Sequence, residues 1–475
     1  MTRPDNDTPS AMRVAIIGGG YTGTALAIHL MRVAEAPLLL TLIDLSDRPG
    51  RGIAYGATDP EHRINVPSDR MSLFGDDPTH ATRWLHHNGF LPDAGSTDDQ
   101  GHHYVARAAY GAYVEAMLAE AIASSAPQVL FAHERGRATG IATEGAGWSV
   151  SLADGRNVAA DTVVLCFGHA PPALPCRVDT AAREAHAFVE NPWAPDAYGA
   201  IGRDDDVLIV GTGLTMADAI ASLARQKHRG SVTAISRRAL LPQSHGAFTE
   251  GIDVLDGQPP PRTALALLRL VRARIAARGP SEGWHPTVDA LRAKLPEIWA
   301  GLPDDEKCKV VRRLLPFWEV HRFRIAPQIH GLIAAARREG RLSVEAAALA
   351  GMDHDGSLFT ATLRRPSGAL EERRFDAVVL CTGPNKDPAR NPLVASLLGS
   401  GLAQLDAIGL GLRVDADFRV TDPAGRPHAG LLAVGPTVRG SFGEMTGAPD
   451  ITRHIERVAP MIVRNRGSGA SPGGM

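Results

Sequence analysis

Two stretches of this chain spell nearly the same phrase, VAIIGGGYTG at 14–23 and VLIVGTGLTMAD at 207–218. A short aliphatic run, glycines two apart and then an apolar run with helical periodicity call for a buried parallel strand, a tight turn and a helix. In the first unit Gly18, Gly20 and Gly23 stand in GxGxxG spacing. The first glycine permits the turn and the second lets the backbone approach a pyrophosphate. The third lets helix and strand pack closely, which leaves the phosphate at the helix N-terminus. A second buried strand, LLLTLID, ends on Asp44, 21 residues after Gly23. A carboxylate there accepts hydrogen bonds from ribose hydroxyls.

The second unit keeps Gly211 and Gly213 but has Met216 where the third glycine would stand. Thr215, in the first turn of the expected helix, joins the predicted contacts. Counting 21 residues on from Met216 reaches Arg237, followed by Arg238. The offset that gives an acid in the first unit thus gives two arginines in the second. A carboxylate suits a free 2′-hydroxyl, whereas a guanidinium grips a 2′-phosphate with paired hydrogen bonds. FAD in the first unit and NADPH in the second satisfy both, with NADH less well suited. The alternative for Arg237 and Arg238 is a solvated surface pair.

The rest of the chain arranges itself around these units. DTVVLCFGHAPP (161–172) and DAVVLCTGPNKDP (376–388) are twin strands, each preceded by a meander of short strands, and 412–436 looks like a return into the first unit. The fold class expected is α/β, with two Rossmann-like dinucleotide-binding domains, the second inserted into the first, and a helical insertion. The expected boundaries are 12–172 and 385–465 for the FAD-binding domain and 173–384 for the NADP-binding domain. The helical insertion is expected at about 258–336, and disordered tails at 1–11 and 466–475. Lys+Arg 50 against Asp+Glu 52 leaves a formal charge of -2, which argues against a nucleic-acid partner. No apolar stretch reaches the length of a membrane span. The N-terminus lacks a signal peptide's pattern, and the four cysteines, 166, 176, 308 and 381, form no CxxC pair. Both point to a cytoplasmic protein. No metal site is expected, because the histidines form no ligand-spaced cluster.

Several stretches carry a resemblance that runs nearly end to end. They are GIAYGATDPEHRINVPSDRMSLFGDDP (52–78), YVARAAYGAYVEAML (104–118), HAFVENPWAP (186–195), VLIVGTGLTMAD, ISRRALLPQ, PFWEVHRFRIAP (316–327) and AVGPTVRGSFGEMTGAPDI (433–451). The layout resembles glutathione-reductase-type enzymes and class B flavin monooxygenases, and more closely the bacterial NAD(P)/FAD-binding protein family. That resemblance implies FAD in the first unit, with Asn65, Arg70 and Ser72 beside the flavin ring and Gly435 in the turn that closes the site. The related reductases carry an Asp after that glycine; here it is Pro436.

Three functions stay open. The first is an NADPH-dependent flavin monooxygenase acting on a small molecule with O2, through a flavin hydroperoxide. The second is a reductase passing electrons to a redox partner, and the third a non-catalytic, nucleotide-sensing flavoprotein. The helical segment, with Trp284, Trp299, Phe317 and Trp318, would cover the flavin–nicotinamide junction and enclose a pocket, which favours the oxygenase. Within EVHRFR, His321 is the candidate acid or base, and Arg322 or Arg324 the candidate anchor for an anionic substrate. A salt-bridged helix end is the alternative for this motif. The family resemblance makes urate the first substrate to consider.

Overall fold

A computed structural model describes residues 11–464, except 169, 171, 247–251 and 386. The expected tails, residue 11 apart, lie outside the described residues. β1 (Met12–Ile17) runs into the first glycine turn, the helix Tyr21–Val33 follows, and β2 (Leu38–Asp44) returns parallel to β1. β3 (Val129–Arg135) extends the sheet beyond β2. An antiparallel meander of β4 (Ala138–Glu144), β5 (Gly147–Leu152) and β6 (Asn157–Ala160) then leads to β7 (Thr162–Leu165), parallel to β1 on its other side.

The short strands β8 (Arg177–Val178) and β9 (Phe188–Val189) open the second lobe. There β10 (Val207–Val210), the helix Leu214–Arg225 and β11 (Val232–Ser236) repeat the strand–turn–helix–strand plan. β12 (Leu342–Ala346) pairs parallel with β11. A second meander, β13 (Ala348–His354), β14 (Phe359–Arg364) and β15 (Leu370–Phe375), precedes β16 (Ala377–Leu380), parallel to β10. The chain then re-enters the first sheet: β17 (Arg419–Thr421) pairs antiparallel with β18 (Pro427–Ala433), which runs parallel to β7. The two main sheets therefore read β3-β2-β1-β7-β18-β17 and β12-β11-β10-β16-β9.

β7, β10 and β16 are buried along their whole length. Parallel strands covered on both faces need such unbroken apolar runs. Because every parallel strand feeds its crossover from the same edge, the glycine turns, Asp44 and the Arg237–Arg238 pair gather at the carboxyl edges of their sheets, where α/β folds bind ligands.

The helical insertion is present as Ala264–Glu282, interrupted at Gly279, then His285–Gly301, and Asp304–Lys309 continuing through one π-turn into Leu315–Arg322. Pro327–Arg338 differs from expectation. Its Ile329, Ile333 and Ala336 share a core with Met216 and Leu223, so it is the second lobe's own crossover helix between β11 and β12.

Candidate functional site

The first turn is built for a close backbone approach. A β-carbon on Gly23 would stand 1.9 Å from the Gly18 carbonyl oxygen, so helix and turn touch directly. At Gly20 the added atom would meet only the Cα of Gly52, at 3.8 Å, so the backbone faces open space there. The chain crosses back over the turn where the Gly50 N–H donates to the Gly19 carbonyl at 2.8 Å. Asp44 lies against Gly19, whose β-carbon would fall 2.8 Å from Asp44 Oδ2. No hydrogen-bond partner of the Asp44 carboxylate is found among the described residues. Gly50 and Gly52 escaped the sequence reading, although the PGRG run just after β2 was a usable signal.

The second turn follows the same plan without the third glycine. Gly211 has φ +118°, and a β-carbon there would come within 2.0 Å of the Cys381 carbonyl oxygen. Nothing lies within 4 Å of a β-carbon on Gly213. Met216 is fully buried, so a long side chain fills the place where Gly23 makes contact in the first lobe. Thr215 is half-buried in the helix's first turn, and Arg237 and Arg238 are exposed just past β11. Neither arginine has a carboxylate partner among the described residues.

These features fit two dinucleotides. Each sheet edge offers a glycine cradle that a side chain would fill, and unpaired groups of the required sign. The Oγ1 atoms of Thr382, past β16, and Thr437, past β18, are buried without a hydrogen-bond partner.

The other predicted residues have these surroundings. Gly435 packs against Thr22 of the first helix, which keeps it beside the first turn. The Asn65 carbonyl accepts from His245 Nε2 at 2.7 Å, so this loop meets the second lobe. Ser72 is buried and its hydroxyl accepts the Phe74 N–H at 3.0 Å, which serves the loop's own fold. Arg70 is exposed at the end of the short helix Ser68–Arg70.

The expected anion anchors are committed elsewhere. Arg322 donates through Nε and Nη2 to Glu444, at 2.7 and 2.6 Å, and through Nη2 to Asp450 at 3.0 Å. Burial works against ionisation of Glu444, but the neighbouring Arg322 and Arg292 hold its carboxyl below the usual range. Arg324 forms a two-pronged pair with Asp289 at 2.8 and 3.0 Å. Both guanidinium charges are therefore neutralised by carboxylates from outside the motif, and Glu319 faces Arg439 instead of Arg322. His321 is half-buried, with Nδ1 2.7 Å from the Phe317 carbonyl and its ring edge-on to Trp284. The insertion thus clamps the 440–450 stretch of the first lobe. Trp299 Nε1 adds a hydrogen bond to the Gly440 carbonyl at 2.7 Å, and Arg292 pairs with Asp450.

The lobes also meet through residues that sequence reasoning missed. Arg107 Nη2 lies 2.9 Å from Asp218 Oδ2, both side chains under a tenth exposed. Burial pushes the Asp218 carboxyl above its ordinary value, against the pull of Arg107. Beside them His62 Nε2 stands 3.0 Å from Ser222 Oγ, which donates to Asp59 at 2.8 Å. A charged residue inside an otherwise apolar helical run, as in YVARAAYG and LTMADAIA, was the available signal.

Two largely parallel sheets, each with a glycine turn at its carboxyl edge and a meander leading back into it, make a fold with two dinucleotide-binding-type lobes. Residues 15–170 match the FAD-NAD(P)-binding family profile. No curated protein matches the chain. Among solved structures, an ornithine N-hydroxylase of Kutzneria sp. 744, in a complex with reduced FAD, NADP+ and L-ornithine, is similar with a TM-score of 0.63 at 16% identity. The match covers 96% of this chain and 100% of that one. L-Lysine 6-monooxygenase from Pseudomonas syringae gives 0.62 at 15%, over 96% and 99%. A bacillithiol disulfide reductase from Bacillus cereus gives 0.54 at 15%, over 96% and 99%.

Proposed function

We propose that this chain is an FAD- and NADPH-dependent oxidoreductase that inserts oxygen from O2 into a small molecule. One observation carries the cofactor assignment. Asp44 and the Arg237–Arg238 pair occupy corresponding strand ends of the two lobes, each beside its glycine turn and each without a protein partner of opposite charge among the described residues. Gly18, Gly20, Gly23, Asp44 and Gly435 would hold FAD; Gly211, Gly213, Thr215, Arg237 and Arg238 would hold NADPH. Together the two cofactors supply hydride transfer and, with O2, oxygen insertion. The protein's own part is to bind, orient and keep water out. The helical insertion, fixed to 440–450 by Arg322 and Trp299, serves the last role. His321, whose Nε2 has no partner among the described residues, is the candidate proton-handling group.

Thiol chemistry is not part of this reading. Cys166 and Cys381 end the buried strands of different lobes, and burial pushes both thiols up. The geometry gives urate no particular support, since Arg322 and Arg324 are paired. The solved structures named for ornithine and lysine hydroxylation make small amines the first class to assay, with urate alongside. No helix among the described residues is long and apolar enough to cross a membrane, and a cytoplasmic enzyme is part of the proposal.

The test is to follow NADPH oxidation, O2 consumption and product mass with each candidate. A product heavier by one oxygen atom, formed in step with NADPH oxidation, is expected. Steady electron flow to a dye or protein acceptor without any oxygenated product would instead establish the reductase. Binding of both nucleotides without hydride transfer would leave a sensor.

A further inference from the structure

The middle residue of the second glycine turn reaches across to the arginine-bearing turn. Thr212 lies between Gly211 and Gly213 and is only 5% exposed. Its hydroxyl stands 2.6 Å from the Leu240 carbonyl oxygen and 2.8 Å from Ser236 Oγ. Ser236 Oγ also accepts the Ala239 N–H at 3.0 Å. Ala239 has φ +50°, in the left-handed region that a β-carbon disfavours. Segment 236–240, which carries both arginines, is therefore held in a costly turn by contacts that begin on the glycine loop. The first lobe has no such strut. Gly19 takes the same position there, and its missing side chain lets Asp44 rest directly on the turn.

We infer that Thr212 is a positioning residue for coenzyme specificity, fixing the arginine turn where it receives a nucleotide 2′-phosphate. The inference rests on reading the second lobe as the NADPH site. A buried hydroxyl with two acceptors in reach holds its neighbours in one geometry, and a phosphate gripped by guanidinium groups is sensitive to that geometry.

The experiment uses the flavin-loaded protein, so that the first lobe is filled, and titrates it with 2′,5′-ADP and with 5′-ADP by calorimetry. Thr212→Val removes the hydroxyl and keeps the shape. It should weaken 2′,5′-ADP about tenfold while leaving 5′-ADP within about twofold. Thr212→Ser should restore the difference. Ser236→Ala, which removes the other end of the strut, should weaken 2′,5′-ADP selectively as well, and it carries the test if the valine variant does not fold. Equal losses for both nucleotides, or none, would overturn the inference. If the unaltered protein shows no preference for 2′,5′-ADP, the NADPH reading itself falls, whatever the variants do.

Discussion

The first glycine turn packs against the backbone of residues 50–52 and against Asp44, whereas the second is tied through Thr212 to the arginine-bearing segment. In the first lobe the backbone of residues 50–52 crosses the turn, Asp44 rests on Gly19, and helix and strand touch at Gly23. The loop at 440–450 is clamped by buried arginine–carboxylate pairs from the helical insertion. In the second lobe a β-carbon on Gly213 would meet nothing within 4 Å, Met216 is buried where the third glycine would stand, and the arginines are exposed. One fold unit is used twice, with an acid against the first turn and two exposed arginines past the matching strand of the second. This is the arrangement expected of a resident flavin and a visiting nicotinamide coenzyme.

The clamp offers the largest way to break this contrast. Arg322→Met leaves Glu444 and Asp450 buried with less compensation and should cost about 3–5 kcal/mol in chemical denaturation. The same pair sets an acid limit. Glu444 is held below its ordinary value of 4.5, so its stabilisation is complete above that pH and is lost as pH falls through the lower, folded value. Melting curves below pH 5 should show the unaltered protein losing stability there, and Arg322→Met losing less on acidification because its Glu444 carboxyl is held down less.

Next in size are the open faces of the two turns. A β-carbon on Gly20 or Gly213 would meet nothing closer than 3.8 Å, so a side chain there would start into the space beside the turn. Gly20→Val should fold and come out without flavin. Gly213→Val should stay yellow and bind NADPH about a hundredfold more weakly, a loss of ~3 kcal/mol. Absorbance of the purified variants and titration with NADPH check both. Smaller again is the charge pair: replacing Arg237 and Arg238 by alanine should raise Kd for NADPH about 10–100-fold and leave NADH within a few-fold. Equal losses would mean that the arginines do not read the 2′-phosphate. The smallest effect is expected for Asp44→Asn, which keeps one hydrogen-bonding oxygen and should weaken FAD about fivefold in reconstitution titrations.

Much of this contrast was legible in the sequence because its parts are local. An aliphatic run, paired glycines and an acid or arginine at a fixed offset are all read within one strand–helix–strand unit. The twin strands ending in Cys166 and Cys381 and the two meanders were visible for the same reason. What the sequence did not disclose depends on distant partners. Arg322 is 122 residues from Glu444, and Arg107 is 111 from Asp218, so their charges read equally well as anchors or surface groups until the chain is folded. The role of Thr212 depends on a turn beyond the following helix and strand. Helix Pro327–Arg338 follows the insertion as one more helix, and its packing against the second lobe separates the two.

The most direct test of the central claim is to saturate the purified protein with FAD and NADP+, pass it through a desalting column and count what remains. One FAD per chain and no retained NADP+ are expected, with NADPH added afterwards bleaching the flavin in the absence of oxygen. A protein that emerges colourless, or that keeps the nicotinamide nucleotide and sheds the flavin, would contradict the claim.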